Sequence, residues 1–231
     1  MAGVVSATGF VLKNSEMGEY DSRVVLLTRE LGKVSAFARG ARKMNSPLMG
    51  VTQPLVFGIF ELYEGRTSFR VKSADVRRFF QGVTSDLDAL LYACYFAEIA
   101  DYYGKEGLDA SDNINLLYAG LTALEKKQMP YALIRCVYEI RAVQASGELP
   151  DLGALAGTLE GDAPDLRKIL LYTIHFIETT PLSRVFSFTV REDVQARLCT
   201  ICQKMCDRTF EWPMRSQQML ESAPQTGRKT S

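Results

Sequence analysis

The hydrophobic pattern changes period near residue 80. Before that point apolar and polar residues alternate in short runs, the two-residue period of half-buried strands. Residues 4–12 form one extended apolar segment interrupted by Gly9, which suits a bulge or the tight curvature of a barrel strand. Residues 23–28 are β-branched and apolar, and 31–39, 55–63 and 69–76 alternate. Turn signals stand between them at Met17-Gly18, Leu31-Gly32, Gly40, Gly50 and Glu64-Gly65. Five short strands in so little chain predict a small β-barrel of the OB-fold type, an architecture that often binds single-stranded nucleic acid.

From residue 80 the apolar residues recur at helical spacing. Leu87, Leu90, Leu91, Cys94, Tyr95 and Ile99 line one helix running toward Gly104, with Ser85 and Asp88 as its N-cap pair. Further helices are predicted over 112–127, stopped near Met129-Pro130, and over 131–145, ending at Ser146-Gly147. A fourth covers 162–178 with Pro164 in its first turn, and a fifth runs from a Thr189/Glu192 capping box to about Phe210. The predicted fold class is α+β. A five-stranded OB-fold barrel occupies 1–79, an all-helical domain 80–222, and a polar, disordered tail 223–231.

Composition narrows the function. With 47% hydrophobic and 23% charged residues among 231, the chain can bury a sizeable core and is not wholly disordered. No apolar run reaches the ~18 residues of a membrane span, and the first residues lack the basic flank of a signal peptide, so a cytoplasmic location is expected. Five cysteines, an odd number, speak for reduced thiols, and the single histidine, His175, rules out multi-histidine metal sites. The net charge is zero but unevenly placed: residues 1–78 hold 12 Lys/Arg against 7 Asp/Glu, a net of +5, and the remainder 15 against 20, a net of −5. A basic segment joined to an acidic one is the pattern of a polyanion-binding module.

The third strand carries the most chemistry. Val34, Ala36 and Ala38 share one face and suit a barrel interior, while Lys33, Ser35, Phe37 and Arg39 share the other. Cations interleaved with an aromatic ring meet both needs of single-stranded nucleic acid, charge for phosphates and a flat surface for unstacked bases. Arg70 and Lys72 repeat the outward cations on the fifth strand. The alternative is that edge cations discourage aggregation and Phe37 packs under a helix. The glycine-bounded loop 40–50 adds Arg42 and Lys43 without any acidic residue, and reads as a mobile basic loop beside that face.

Other constellations are weaker. Cys199, Cys202 and Cys206 stand at i, i+3 and i+7 of a helix with Leu198, Ile201 and Met205, the spacing of a buried stripe, and the fourth ligand of a zinc site is missing nearby. Neither a metal nor any other cofactor is expected, and no residue is nominated as catalytic. A thiol oxidoreductase using Cys199 and Cys202 is a distant alternative. Arg135 and Arg141, on an apolar helix after Lys126-Lys127, are candidate receivers of an acidic partner peptide, or else a solvated face. On that second reading the protein is a protein–protein adaptor.

Gly9-Phe10-Val11-Leu12, Gly18-Glu19-Tyr20-Asp21, Thr28-Arg29-Glu30-Leu31-Gly32-Lys33-Val34 and Ala38-Arg39-Gly40-Ala41-Arg42-Lys43, with Ser46 and Gly50, resemble the opening of the bacterial RecO DNA-repair family. The resemblance implies an OB-fold followed by a helical domain, and a non-enzymatic, nucleoid-associated mediator of recombinational repair. Such a protein binds single- and double-stranded DNA and anneals complementary strands. With RecR it helps load RecA onto DNA coated by SSB, whose acidic C-terminal tail it binds. The family's basic residues map to Lys33, Arg39, Arg42 and Lys43. Many members carry a four-cysteine zinc hand after the third helix of the second domain; residues 147–164 here contain no cysteine.

Overall fold

A computed structural model describes residues 3–66, 68–157, 163–212 and 214–222. The expected tail, 223–231, and the first residue of the expected fourth helix, Asp162, lie outside the described residues.

Five strands, β1 (Val4–Met17), β2 (Asp21–Thr28), β3 (Gly32–Ala38), β4 (Phe57–Glu64) and β5 (Phe69–Arg78), close a barrel in the order β1-β2-β3-β5-β4. All pairs are antiparallel except β3 with β5. Alternation sends Val24, Leu26, Val34, Ala36, Phe60, Leu62 and Val71 into a shared interior. Burying a Leu or Phe side chain there contributes about 1.5–3 kcal/mol each. Small residues on β3 leave room for the rings and branched chains of the facing strands. At Gly9 a Cβ would lie 1.9 Å from the Leu27 carbonyl oxygen, so the curvature of β1 against β2 demands glycine. The bulge itself falls further on, between Val11 and Lys13, and turns Lys13 outward opposite Val25.

The segment joining β3 to β4 is not the loose loop its composition suggests. A succession of turns (Ser46 N–H to the Lys43 carbonyl, Met49 N–H to Ser46, Thr52 N–H to Leu48) folds it over one end of the barrel. Ala41, Leu48 and Val56 join the core, while Arg42 and Lys43 remain exposed. Apolar residues spaced among polar ones hold the loop down, so its cations are presented from a fixed base.

The helices are α1 (Gln81–Thr84), α2 (Leu87–Tyr103), α3 (Ser111–Lys126), α4 (Tyr131–Ala145), α5 (Leu152–Gly157), α6 (Pro164–Thr179), α7 (Leu182–Val185), α8 (Glu192–Thr209) and α9 (Arg215–Ser222). Two expected caps are replaced. Asp86, rather than Ser85, caps α2 by accepting from the Ala89 N–H at 3.1 Å. At α8 the N-cap position is Arg191, not Thr189, and makes no side-chain cap bond; the nearby Asp193 accepts its partner Val194 N–H instead. The Gly147 stop is as expected, with φ at +78° and the Glu148 N–H returned to the Val143 carbonyl.

The chain forms two compact units, one of Met1–Gln81 with Ala97–Asn115, the other of Gly82–Phe96 with Leu116–Ser231. Strands give way to helices near residue 80, as composition suggests, but α2 and α3 each run from one unit into the other. The returning segment, 97–115, carries one Lys against five Asp/Glu. Its net of −4 leaves the first unit at +1 rather than the +5 of its strands alone. Among the described residues no helix is long and apolar enough to cross a membrane.

Candidate nucleic-acid interface

Register decides which outward side chains meet. Ser15 pairs with Arg23, Arg23 with Phe37, Phe37 with Arg70, Arg70 with Tyr63 and Tyr63 with Val4. Directly paired residues project to the same face, so the row Arg23–Phe37–Arg70–Tyr63 crosses four strands on the outside of the barrel as cation, ring, cation, ring. The Arg70 guanidinium lies 4.7 Å from the Tyr63 ring centroid, and Arg23 Nε donates to the Ser35 hydroxyl at 2.7 Å. Arg39, expected to close the third strand, instead lies in the turn just after β3 ends at Ala38, and is exposed. Among the described residues, neither Arg23, Arg39 nor Arg70 is ion-paired to a carboxylate. A hydrogen bond to a hydroxyl and contact with a ring leave a guanidinium's charge available to a phosphate.

Beside this row stands the β1–β2 turn. Tyr20 lies there with the Lys43 ammonium 5.5 Å from its ring centroid, and the Arg42 N–H donates to the Tyr20 carbonyl, tying loop to turn. The β2–β3 face and the β1–β2 loop are where OB-folds take oligonucleotides.

The other expected cations are engaged. Lys33 projects from the barrel, but its ammonium donates to the Asp101 carbonyl at 2.8 Å and lies 3.4 Å from the Asp101 carboxylate, which also holds Lys13 at 2.7 Å. It satisfies a backbone oxygen in the last turn of α2, an orphan acceptor at that helix end. Arg42 pairs with Glu16 at 2.9 Å and donates to the Gly18 carbonyl. Lys72 occupies the β5 bulge and pairs with Glu61 at 2.9 Å. The Lys72 ammonium, then the Ser73 hydroxyl, hold the Glu61 carboxyl below the usual range. Of the seven residues singled out on the barrel, the fold sets Phe37 and Arg70 side by side with Arg39 close by, and adds Arg23, Tyr63 and Tyr20. Arg23 opens a strand noted only for its apolar residues, and Tyr63 ends one; strand register is the signal that joins them.

In the helical part Arg135 and Arg141 serve the fold. Arg141 donates to the carbonyls of Ile177, Glu178 and Thr180 at 3.2, 2.9 and 3.4 Å, closing the C-terminus of α6. Arg135, with 14% of its side chain exposed, faces Glu139 at 3.6 Å. Neither presents a bare guanidinium to a peptide.

A closed barrel in this strand order, bearing a ribbon of cations and rings and followed by helices, defines an OB-type barrel protein with a helical C-terminal region. Comparison with known proteins goes further. Residues 1–80 match the family described as Recombination protein O N terminal, and 84–158 that described as Recombination protein O C terminal. A protein of Alkaliphilus metalliredigens named DNA repair protein RecO is 32% identical over 149 residues, 64% of this chain and 61% of that relative. Proteins of the same name from Clostridium perfringens strain 13 and Acetivibrio thermocellus are 24% and 28% identical. They match over 94% and 90% of this chain and 98% and 92% of their own lengths. The chain belongs to the RecO family of DNA repair proteins.

Proposed function

We propose that the protein is a non-enzymatic mediator of recombinational DNA repair that holds DNA on the outer row Arg23–Phe37–Arg70–Tyr63, extended by Arg39 and Lys43. The observation that carries this reading is the alternation of guanidinium and ring across paired strands, with none of the three arginines tied to a carboxylate among the described residues. Guanidiniums two strands apart can each meet a phosphate while the ring between them stacks on a base, a sequence-tolerant mode suited to single strands. Duplex binding uses the same cations on the phosphates alone. Annealing asks for no catalytic group: screening the repulsion between two strands held on one protein lets base pairing supply the driving force.

The partners in this proposal follow the family. They are RecR, the acidic C-terminal tail of SSB, and, indirectly, RecA on SSB-coated DNA in the cytoplasm. The helical part is the expected seat of the SSB tail, at a place other than the Arg135 and Arg141 guanidiniums. The test is fluorescence anisotropy of a labelled oligonucleotide across a salt series, followed by addition of the complementary strand. Salt-sensitive binding that accelerates annealing is expected, and absence of binding at low salt would remove the proposal.

A further inference from the structure

The cysteines of α8 alone lack a fourth ligand for a metal, and the fold supplies it from α4. Cys136 and Glu139 stand at i and i+3 on α4, and Cys199 and Cys202 stand at i and i+3 on α8. Cys136 Sγ lies 3.3 Å from Cys199 Sγ across 63 residues of chain. The ligand atoms of Cys136, Glu139 and Cys202 all fall within 4.8 Å of one another, and all three residues are buried. Two facing helices, each giving two side chains one turn apart, form a standard way of building a four-ligand site inside a bundle.

The carboxylate is the second observation. Glu139 is 1% exposed, an expensive place for an acid without compensation. Its Oε1 accepts from the Tyr95 hydroxyl at 2.8 Å and faces Arg135, but Oε2 is buried with no hydrogen-bond partner among the described residues. An orphaned lone pair beside converging thiols is the arrangement a cation completes. Tyr95 and Arg135 then have the part of outer groups that orient a ligating carboxylate.

We propose that Cys136, Glu139, Cys199 and Cys202 bind a zinc-class divalent cation that staples α4 to α8. Three sulfurs and one oxygen select a soft or borderline ion over magnesium or calcium. Tetrahedral thiolates around zinc sit about 3.8 Å apart, from a bond length of about 2.3 Å. The Cys136–Cys199 separation therefore opens by a few tenths of an ångström on binding. Arg135 offsets part of the negative charge left by three thiolates and a carboxylate on a doubly charged ion. The site is distinct from the zinc hand that family resemblance places after α4, for which residues 147–164 hold no cysteine. It also gives the Cys199-x2-Cys202 pair a role beyond helix packing.

The experiment uses the full chain, purified reduced and metal-free, titrated with Co²⁺ and then with Zn²⁺. One equivalent of cobalt should give thiolate charge-transfer absorption and the visible bands of a tetrahedral ion, both abolished by equimolar zinc. Cys94→Ser, at the exposed cysteine, should leave them intact; Cys136→Ser and Cys202→Ser should remove them. Arg135→Lys should weaken zinc about ten- to a hundredfold, the usual effect of disturbing an outer group. Because the buried-cysteine variants risk misfolding, X-ray absorption of the zinc-loaded wild-type chain gives an independent readout. Three sulfurs at about 2.3 Å and one oxygen at about 2.0 Å are expected. A reduced wild-type chain that leaves the cobalt spectrum unchanged, bands that survive in folded Cys202→Ser, or a zinc shell lacking sulfur would each overturn the proposal.

Discussion

Replacing Arg23, Arg39 and Arg70 together by Gln should flatten the salt dependence of oligonucleotide binding while leaving the barrel folded. All three side chains stand outside the barrel, and none is ion-paired to a carboxylate among the described residues, so their removal opens no cavity and strands no buried charge. Each phosphate neutralised on a single strand contributes about 0.7 to the slope of log affinity against log salt, so losing three contacts lowers the slope by about 2. Over a fourfold rise in salt, the triple variant then loses roughly twentyfold less affinity than the wild type. Lys33→Ala is the matched control. Its ammonium is spent on Asp101, so it should lower the melting temperature and leave the slope as it was. Anisotropy titrations at four or five salt concentrations, with thermal melts of each variant, separate the two effects. An unchanged slope in the folded triple variant, or a fall as large in Lys33→Ala, would refute the assignment of phosphate contacts from register and pairing.

Phe37→Ala should weaken single-strand binding by about 1–3 kcal/mol, the worth of one stacked base, with little effect on duplex; equal losses on both substrates in anisotropy would count against stacking. Arg141→Ala leaves the Ile177 and Thr180 carbonyls at the end of α6 without that donor, while Gln144 still serves Glu178, and should cost about 1.5–3 kcal/mol in urea denaturation, whereas an unchanged midpoint would mean water serves those carbonyls equally well. The Lys127 ammonium, then the Ala89 N–H, hold the Asp86 carboxyl below the usual range. A depressed carboxyl stabilises the fold above its unfolded value and loses that contribution as pH falls through the folded one. The stability gap between wild type and Asp86→Ala, about 1 kcal/mol at neutral pH for a lost cap, should therefore narrow in acid, and a pH-independent gap in denaturant melts would dismiss the ion pair. Gly120→Ala should destabilise although it raises helix propensity, because the new Cβ would meet Tyr138 Cδ2 at 2.8 Å and Phe96 Cδ2 at 3.2 Å, where the two rings stack at 4.0 Å between centroids. Overpacking of that kind costs about 1–3 kcal/mol, and a gain in melting temperature would show that the ring pair yields.

What the sequence made legible follows from locality. Strand alternation and helical spacing are set by neighbours a few residues apart, so the barrel, the longer helices and the outward direction of Phe37, Arg39 and Arg70 could all be read from the chain. Helices α1, α5, α7 and α9, of four, six, four and eight residues, are too short for a period to declare itself. The caps were misplaced because each helix begins later than Ser85 or Thr189 implies, α2 at Leu87 after Asp86 and α8 at Glu192 after Arg191. Long-range partners were out of reach altogether. Asp101 comes to Lys33 from 68 residues away and Arg23 meets Phe37 only through register. Cys136, 63 residues before Cys199, arrives beside it because α4 packs on α8.

The chain's return to the barrel at 97–115 has a consequence for how a polyanion finds its way. That stretch lays five acidic residues against a module whose strands are basic, and Asp101 neutralises the two lysines nearest to it. On the proposed reading, masking Lys13 and Lys33 leaves the Arg23–Arg70 row as the cationic lane offered to an approaching strand. A fragment ending near residue 80 would shed this blinker. Lys13 and Lys33 would be unmasked and Leu27 would lose the backbone of Gly104 against it, so on the proposed reading the excised barrel should bind an oligonucleotide with a steeper salt slope than the intact chain.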